Sequence, residues 1–136
     1  MYIFDGAMGT MLQAAGLEEG YCPELFNVER PEVVKNIHAQ YLQHGSDVIT
    51  TNTFGACGLK LEDYDLQDRV REINIAAVKV AKEAIAEVKP SARVAGSMGP
   101  TGRFLQPLGN MSFDSIYDTY REQADALIEG GVDFII

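Results

Sequence analysis

The stretch PEVVKNIHAQYLQHGSDVITT, residues 31–51, carries a helix and then a strand, and that succession decides the fold class. Pro31 suits the first turn of a helix, because it lacks an amide hydrogen that would be unpaired there anyway. Val34, Ile37 and Tyr41 recur at helical spacing, with Leu42 beside them, and Gly45 closes the segment. Asp47-Val48-Ile49-Thr50-Thr51 follows as a β-rich run.

The same alternation extends in both directions. Upstream, Tyr2-Ile3-Phe4 is a brief apolar run that Asp5-Gly6 ends like a strand, followed by an irregular stretch over 7–30 with a short helix expected around 10–15. Downstream, Val70, Ile73, Ala77, Val80, Ala84 and Val88 mark one face of a long helix that Pro90 stops, and residues 93–97 read as a third strand. Ser112 suits the cap of a third helix with Asp114 in its first turn and Ile116, Tyr120, Ala124 and Leu127 on its inner face. Gly130-Gly131 ends that helix, and residues 132–136 begin a fourth strand.

Strands alternating with helices build parallel βαβ units. An open doubly wound sheet would want a phosphate-binding glycine fingerprint after its first strand, and Asp5-Gly6-Ala7-Met8-Gly9 has its glycines at the wrong offsets. The units repeat about every 43 residues, so eight would need roughly 350, within the range of (β/α)8 TIM barrels. The expectation is an α/β chain of the TIM-barrel family, with residues 1–136 forming a half-barrel of about four parallel strands. The ending Phe134-Ile135-Ile136 falls inside an apolar run and would leave a bare sheet edge. The chain is therefore expected to be the N-terminal half of a longer barrel, without a second domain, and prone to self-association through that edge.

Composition narrows the function classes. A formal net charge of −9 with no basic patch argues against nucleic acid or an anionic membrane surface. No apolar run approaches the ~20 residues of a membrane span. Cys22 and Cys57 make no disulfide framework and nothing resembles a signal peptide, which points to a reducing, cytoplasmic setting. The two cysteines form no CxxC pair, and His38 and His44 stand about 240° apart round one helix. They read as packing or surface residues, and no zinc site is expected within this chain.

Barrel chemistry sits at the C-terminal ends of the strands. Those ends deliver Asp5-Gly6-Ala7-Met8-Gly9-Thr10, then Thr51-Asn52-Thr53-Phe54-Gly55-Ala56, then Gly96-Ser97-Met98-Gly99-Pro100-Thr101-Gly102. Each could be only a turn or a strand end. Parallel topology, however, puts all three on one rim, where glycines admit a ligand to the backbone and hydroxyls and amides give directional hydrogen bonds. No lysine follows as a P-loop would require. Lys60, Lys79, Lys82 and Lys89 fall on loops or helices, which disfavours a Schiff-base aldolase.

The three clusters, together with Tyr41, Gly45-Ser46-Asp47 and Gly130-Gly131-Val132-Asp133, resemble in order the homocysteine-binding domain of cobalamin-dependent methionine synthases, a homocysteine S-methyltransferase domain. The resemblance implies transfer of a methyl group, ultimately from 5-methyltetrahydrofolate through methylcobalamin, to the thiol of homocysteine. It implies zinc and cobalamin in the parent protein, none bound to these residues, and an inactive fragment with no catalytic residue of its own. The partners it implies are homocysteine and the rest of the parent chain: the second half-barrel and the folate and cobalamin domains. By the same resemblance Asp5 pairs with the substrate ammonium, Gly6 and Ala7 offer backbone amides, Thr51, Asn52, Thr53 and Phe54 line the wall, and Ser97 shapes the rim. Related enzymes that use betaine or S-methylmethionine share the opening acid and the threonines, and a non-catalytic folding or assembly unit is the other reading.

Overall fold

Three of the four expected strands form one parallel sheet, β1 (Val48–Thr50), β2 (Arg93–Gly96) and β3 (Phe134–Ile135), in that spatial order. The structure, a computed structural model, describes residues 1–136. The first expected strand shrinks to a single bridge between Phe4 and Val48. Its backbone still follows the ladder: Ile3 O accepts from the amides of Asp47 and Val48 at 2.7 and 3.1 Å, and the Asp5 amide donates to Val48 O at 3.0 Å. Asp5-Gly6 ends the apolar run directly after Phe4, and the pairing stops at that one bridge. The expected four strands are thus three strands and a bridge.

Register shows which residues share a face. Val48 pairs with Arg93, Thr50 with Ala95, and Ala95 with Phe134. Because side chains alternate along a strand, Phe4, Val48, Thr50, Ala95 and Phe134 point to one side, and Ile49 and Val94 to the other. Neighbouring strands lie about 4.8 Å apart, so a flat sheet would hold the lines of Phe4 and Phe134 roughly 14 Å from each other. Their ring centroids are 6.2 Å apart, edge to face. The sheet is strongly curled, with the aromatic pair on its concave side.

Helices cover the convex side. The core there joins Leu42 of α3 (Pro31–Gln43), Ile49, Val94, and Ala81, Ala84 and Ile85 of α5 (Val70–Val88). The two remaining short helices before α3 are α1 (Met8–Ala14), where a short helix was expected, and α2 (Phe26–Glu29). A single turn, α4 (Gly58–Leu61), precedes α5. Between α5 and β3 runs α6 (Phe113–Gly130), capped as expected: Ser112 Oγ accepts from the Ser115 amide at 3.1 Å. Gly131 takes φ +88° at its other end, a conformation that favours glycine.

The buried face of α6 departs from its apolar pattern. Gln123, Ala126 and Leu127 are buried, whereas Ile116, Tyr120 and Ala124 are only half-buried. Gln123 is held there by polar partners, which a hydrophobic period cannot show. His38 on α3 is fully buried, and neither ring nitrogen has a partner. Burial lowers its pKa to about 4, so the ring is neutral near pH 7. His44 is on the surface, with Nδ1 2.7 Å from Gln40 O. No helix is long and apolar enough to cross a membrane.

Candidate functional site

The strand ends converge. Ala7, Met8, Gly9, the residues 50–54 and Ser97 surround a concavity of about 410 Å³, with Pro23 and Glu24 on its remaining side. Six of the eight residues singled out in the sequence therefore share one cavity: Ala7, Thr51, Asn52, Thr53, Phe54 and Ser97. Asp5 and Gly6 stand behind it.

Asp5 is half-buried and turned to the neighbouring strand. Its Oδ2 accepts from the Thr50 amide at 2.8 Å and its Oδ1 from the Thr50 hydroxyl at 3.1 Å. Burial raises its pKa above the usual aspartate value, an effect the Thr50 hydrogen bonds oppose. Asp5 thus reaches the cavity through Thr50, which lines it. Gly6 lies under Tyr41: a Cβ there would stand 3.0 Å from the Tyr41 hydroxyl oxygen. That hydroxyl donates to Ala7 O at 2.9 Å, tying the first loop to α3.

The wall is a closed ring of hydrogen bonds. The Ser97 amide donates to Thr51 Oγ1 at 3.0 Å, and the Thr53 hydroxyl donates to Ser97 O at 2.7 Å. Thr51 and Thr53 hydroxyl oxygens are 2.6 Å apart. A hydroxyl has one proton, and that of Thr53 is already engaged, so Thr51 must be the donor between them. Asn52 is anchored likewise: its amide nitrogen donates to Pro23 O at 2.9 Å and to Asn27 Oδ1 at 3.2 Å, while Asn27 Nδ2 donates to Asn52 O at 2.7 Å. Phe54 is exposed, and its carbonyl accepts from the Gly99 amide at 3.0 Å. Glycine is required at 99, where a Cβ would come 2.5 Å from Phe54 O.

Further buried side chains hold the loop from behind. Gln123 Nε2 donates to Thr53 O at 2.8 Å, Asn74 Nδ2 to Ala56 O at 2.9 Å, and the Gly55 amide to Glu24 Oε1 at 2.7 Å. The sequence reading missed Glu24, Asn27, Asn74 and Gln123. Glu24 and Asn27 come from a segment of one 3-10 turn, Pro23–Leu25, and the four residues of α2, too short to show a period. A polar residue on the apolar face of α5 or α6 was the one available signal for the other pair.

The metal-binding chemistry implied by the resemblance does not fit these residues. No three His, Cys, Asp or Glu side chains converge. Cys22 is buried, and burial, with Glu24 beside it, pushes its pKa up to about 12, so it stays a thiol. Burial also raises that of Cys57.

The comparisons with known proteins agree with one another. The profile of the homocysteine S-methyltransferase family matches residues 2–136. Over 142 aligned positions the chain is 41% identical to the methionine synthase of Mycobacterium tuberculosis and 38% identical to that of Mycobacterium leprae. Each alignment covers 97% of this chain and 12% of the relative, so the chain spans about an eighth of those proteins. Among solved structures, the oxidized form of the homocysteine methyltransferase MmuM from Escherichia coli matches with a TM-score of 0.81 at 25% identity, over 99% of this chain and 51% of that one. Its metallated form matches with a TM-score of 0.80, over 98% and 52%.

Proposed function

The chain belongs to the homocysteine S-methyltransferase family, and from that membership we propose that it supplies the amino-acid side of a site in which the thiol of homocysteine is methylated to methionine. The observation that carries this reading is the gathering of Ala7, Thr51, Asn52, Thr53, Phe54 and Ser97 about one cavity. Asp5 provides negative charge beside it for the substrate ammonium. Gly6 and Ala7 bring main chain close to the ligand, residues 51–54 form the wall, and Ser97 closes the rim.

A chain that spans half of a homocysteine methyltransferase structure and an eighth of its methionine synthase relatives supplies part of a site. We read residues 1–136 as the N-terminal half of a TIM barrel, whose remaining strands would join at the bare edges beside Phe4 and β3. In the isolated chain those edges would instead favour self-association. Thiolate, not thiol, is the nucleophile in methyl transfer, and a coordinated cation generates it. In the parent enzyme zinc would do this and cobalamin would carry the methyl group, both held by residues outside this chain. Betaine or S-methylmethionine is the alternative donor. A reducing, cytoplasmic compartment suits the two free, buried cysteines.

The test is an amide-resolved NMR titration of the chain with homocysteine at millimolar concentration. Amides at 5–7, 51–54 and 97 should shift together. If they stay still while the protein is folded, the reading fails.

A further inference from the structure

Tyr120 and Gln123 stand three residues apart on α6 and so share one face of that helix. Each sends a side-chain proton to a carbonyl of a different rim loop. The Tyr120 hydroxyl donates to Gly99 O at 3.2 Å, and Gln123 Nε2 donates to Thr53 O at 2.8 Å. The Gly99 amide in turn donates to Phe54 O at 3.0 Å. These bonds close a circuit: from Tyr120 through Gly99 to Phe54, one residue back along the chain to Thr53, and through Gln123 to α6 again.

Phe54 occupies the middle of that circuit. The carbonyl before it and its own carbonyl are both engaged, so the two peptide planes that flank it are fixed. Fixing both planes sets the direction of its Cα–Cβ bond. The ring lies over Gly99, where a Cβ would come 2.8 Å from two ring carbons, and it lines the cavity. At 62% exposed, it has little packing of its own to hold it. Its direction comes from the main chain.

Core packing does not account for Gln123. It is fully buried, yet its Oε1 meets no partner within the protein. Such a group costs stability, and leucine or methionine would fill the space without that cost. What the amide adds is its hold on Thr53 O, while Asn74 Oδ1 accepts from the same nitrogen at 3.3 Å.

We propose that Tyr120 and Gln123 are positioning residues of this site: acting through Gly99 and Thr53, they aim the Phe54 ring at the cavity and thereby set the affinity for the amino-acid ligand. The proposal rests on the homocysteine reading of the cavity and adds two residues from a helix that does not line it.

The test uses NMR of the isotope-labelled chain and its point variants. Tyr120→Phe removes the hydroxyl alone, Gln123→Met removes the amide at nearly equal length, and Ile85→Val thins the core on the convex side, away from the circuit. Without ligand, the first two should move the Phe54 ring resonances and the third should not. With homocysteine, each of the first two should weaken binding about fivefold, the worth of one hydrogen bond. Their double variant should fall well short of the product, because a circuit opened at one bond is already open. Ile85→Val should lower the unfolding midpoint and bind as the wild type does. Unmoved Phe54 resonances in a folded Tyr120→Phe or Gln123→Met chain, full multiplication of the two effects, or an equal loss in Ile85→Val overturns the proposal. Should Gln123→Met fail to fold, Tyr120→Phe decides by itself. A wild-type chain that ignores homocysteine sinks the homocysteine reading instead, and the Phe54 resonances still decide whether α6 aims the ring.

Discussion

Phe4 and Phe134 touch edge to face at 6.2 Å although β1 and β2 separate their backbones. The contact exists because the sheet curls, and it lies over Val48 and Ala95, both buried on the same side. Replacing either phenylalanine by alanine should destabilise the chain by about 1–2 kcal/mol, less than a fully buried ring because Phe4 is part-exposed. The double replacement should fall short of the sum by about 0.5–1.5 kcal/mol, the usual coupling of an aromatic pair. Urea unfolding of the four proteins measures this. Strict additivity would mean that the rings do not cooperate and that the curl has another source.

Gly99→Ala sets a Cβ against a backbone carbonyl, which cannot rotate away. Overpacking of this kind costs about 1–3 kcal/mol, and here it also pries apart the Gly99 to Phe54 hydrogen bond. Thermal unfolding should show the loss. An unchanged midpoint would mean that the two loops part freely enough to admit the methyl group.

His38 links stability to acidity. Its pKa is depressed in the fold, to about 4, while the unfolded chain keeps the ordinary value near 6.5. Between these values the unfolded state binds a proton that the native state refuses. Stability from this group is therefore complete above pH 6.5 and declines as pH falls towards 4. The loss from pH 7 to 5 should be roughly 2 kcal/mol. His38→Leu, which strands no partner because the ring nitrogens have none, should remove this part of the slope. Denaturant unfolding at the two pH values reads it, and equal slopes would place His38 in contact with water.

Asp5 is predicted to matter twice. Asp5→Ala leaves the Thr50 amide without its acceptor, at a cost of about 1–3 kcal/mol, whereas Asp5→Asn can keep one oxygen there and should cost less. If the proposed function holds, Asp5→Asn in a complete enzyme carrying this sequence should raise the homocysteine KM about tenfold, a loss of roughly 1.4 kcal/mol, with metal content unchanged. An unaltered KM would take Asp5 out of the site.

The elements that could be read from the sequence were those with a period. The apolar faces of α3 and α5, the β-rich runs ending at Thr51 and Ser97, and the Ser112 cap all rest on local preferences that the tertiary structure leaves standing. The first strand departs from its apolar pattern, because a run that Asp5-Gly6 cuts short forms one bridge and not a ladder. The rim was legible because glycines and hydroxyls recur after each strand. The supports behind it were not: Glu24, Asn27, Asn74 and Gln123 are placed by single hydrogen bonds between segments distant in sequence, and such bonds leave no repeating trace. Nor could the sequence say that Asp5 would turn towards Thr50.

The ring through Thr51, Thr53 and Ser97, with the Gly99 to Phe54 bond beside it, ties the second and third loops into one body. Neither loop can swing out without breaking bonds to the other. Ligand entry past these two therefore cannot depend on one lifting alone, and whatever gating the cavity has must come from the first loop or from the Pro23 side. In hydrogen exchange, the amides of Ser97 and Gly99 should open together, at a single rate.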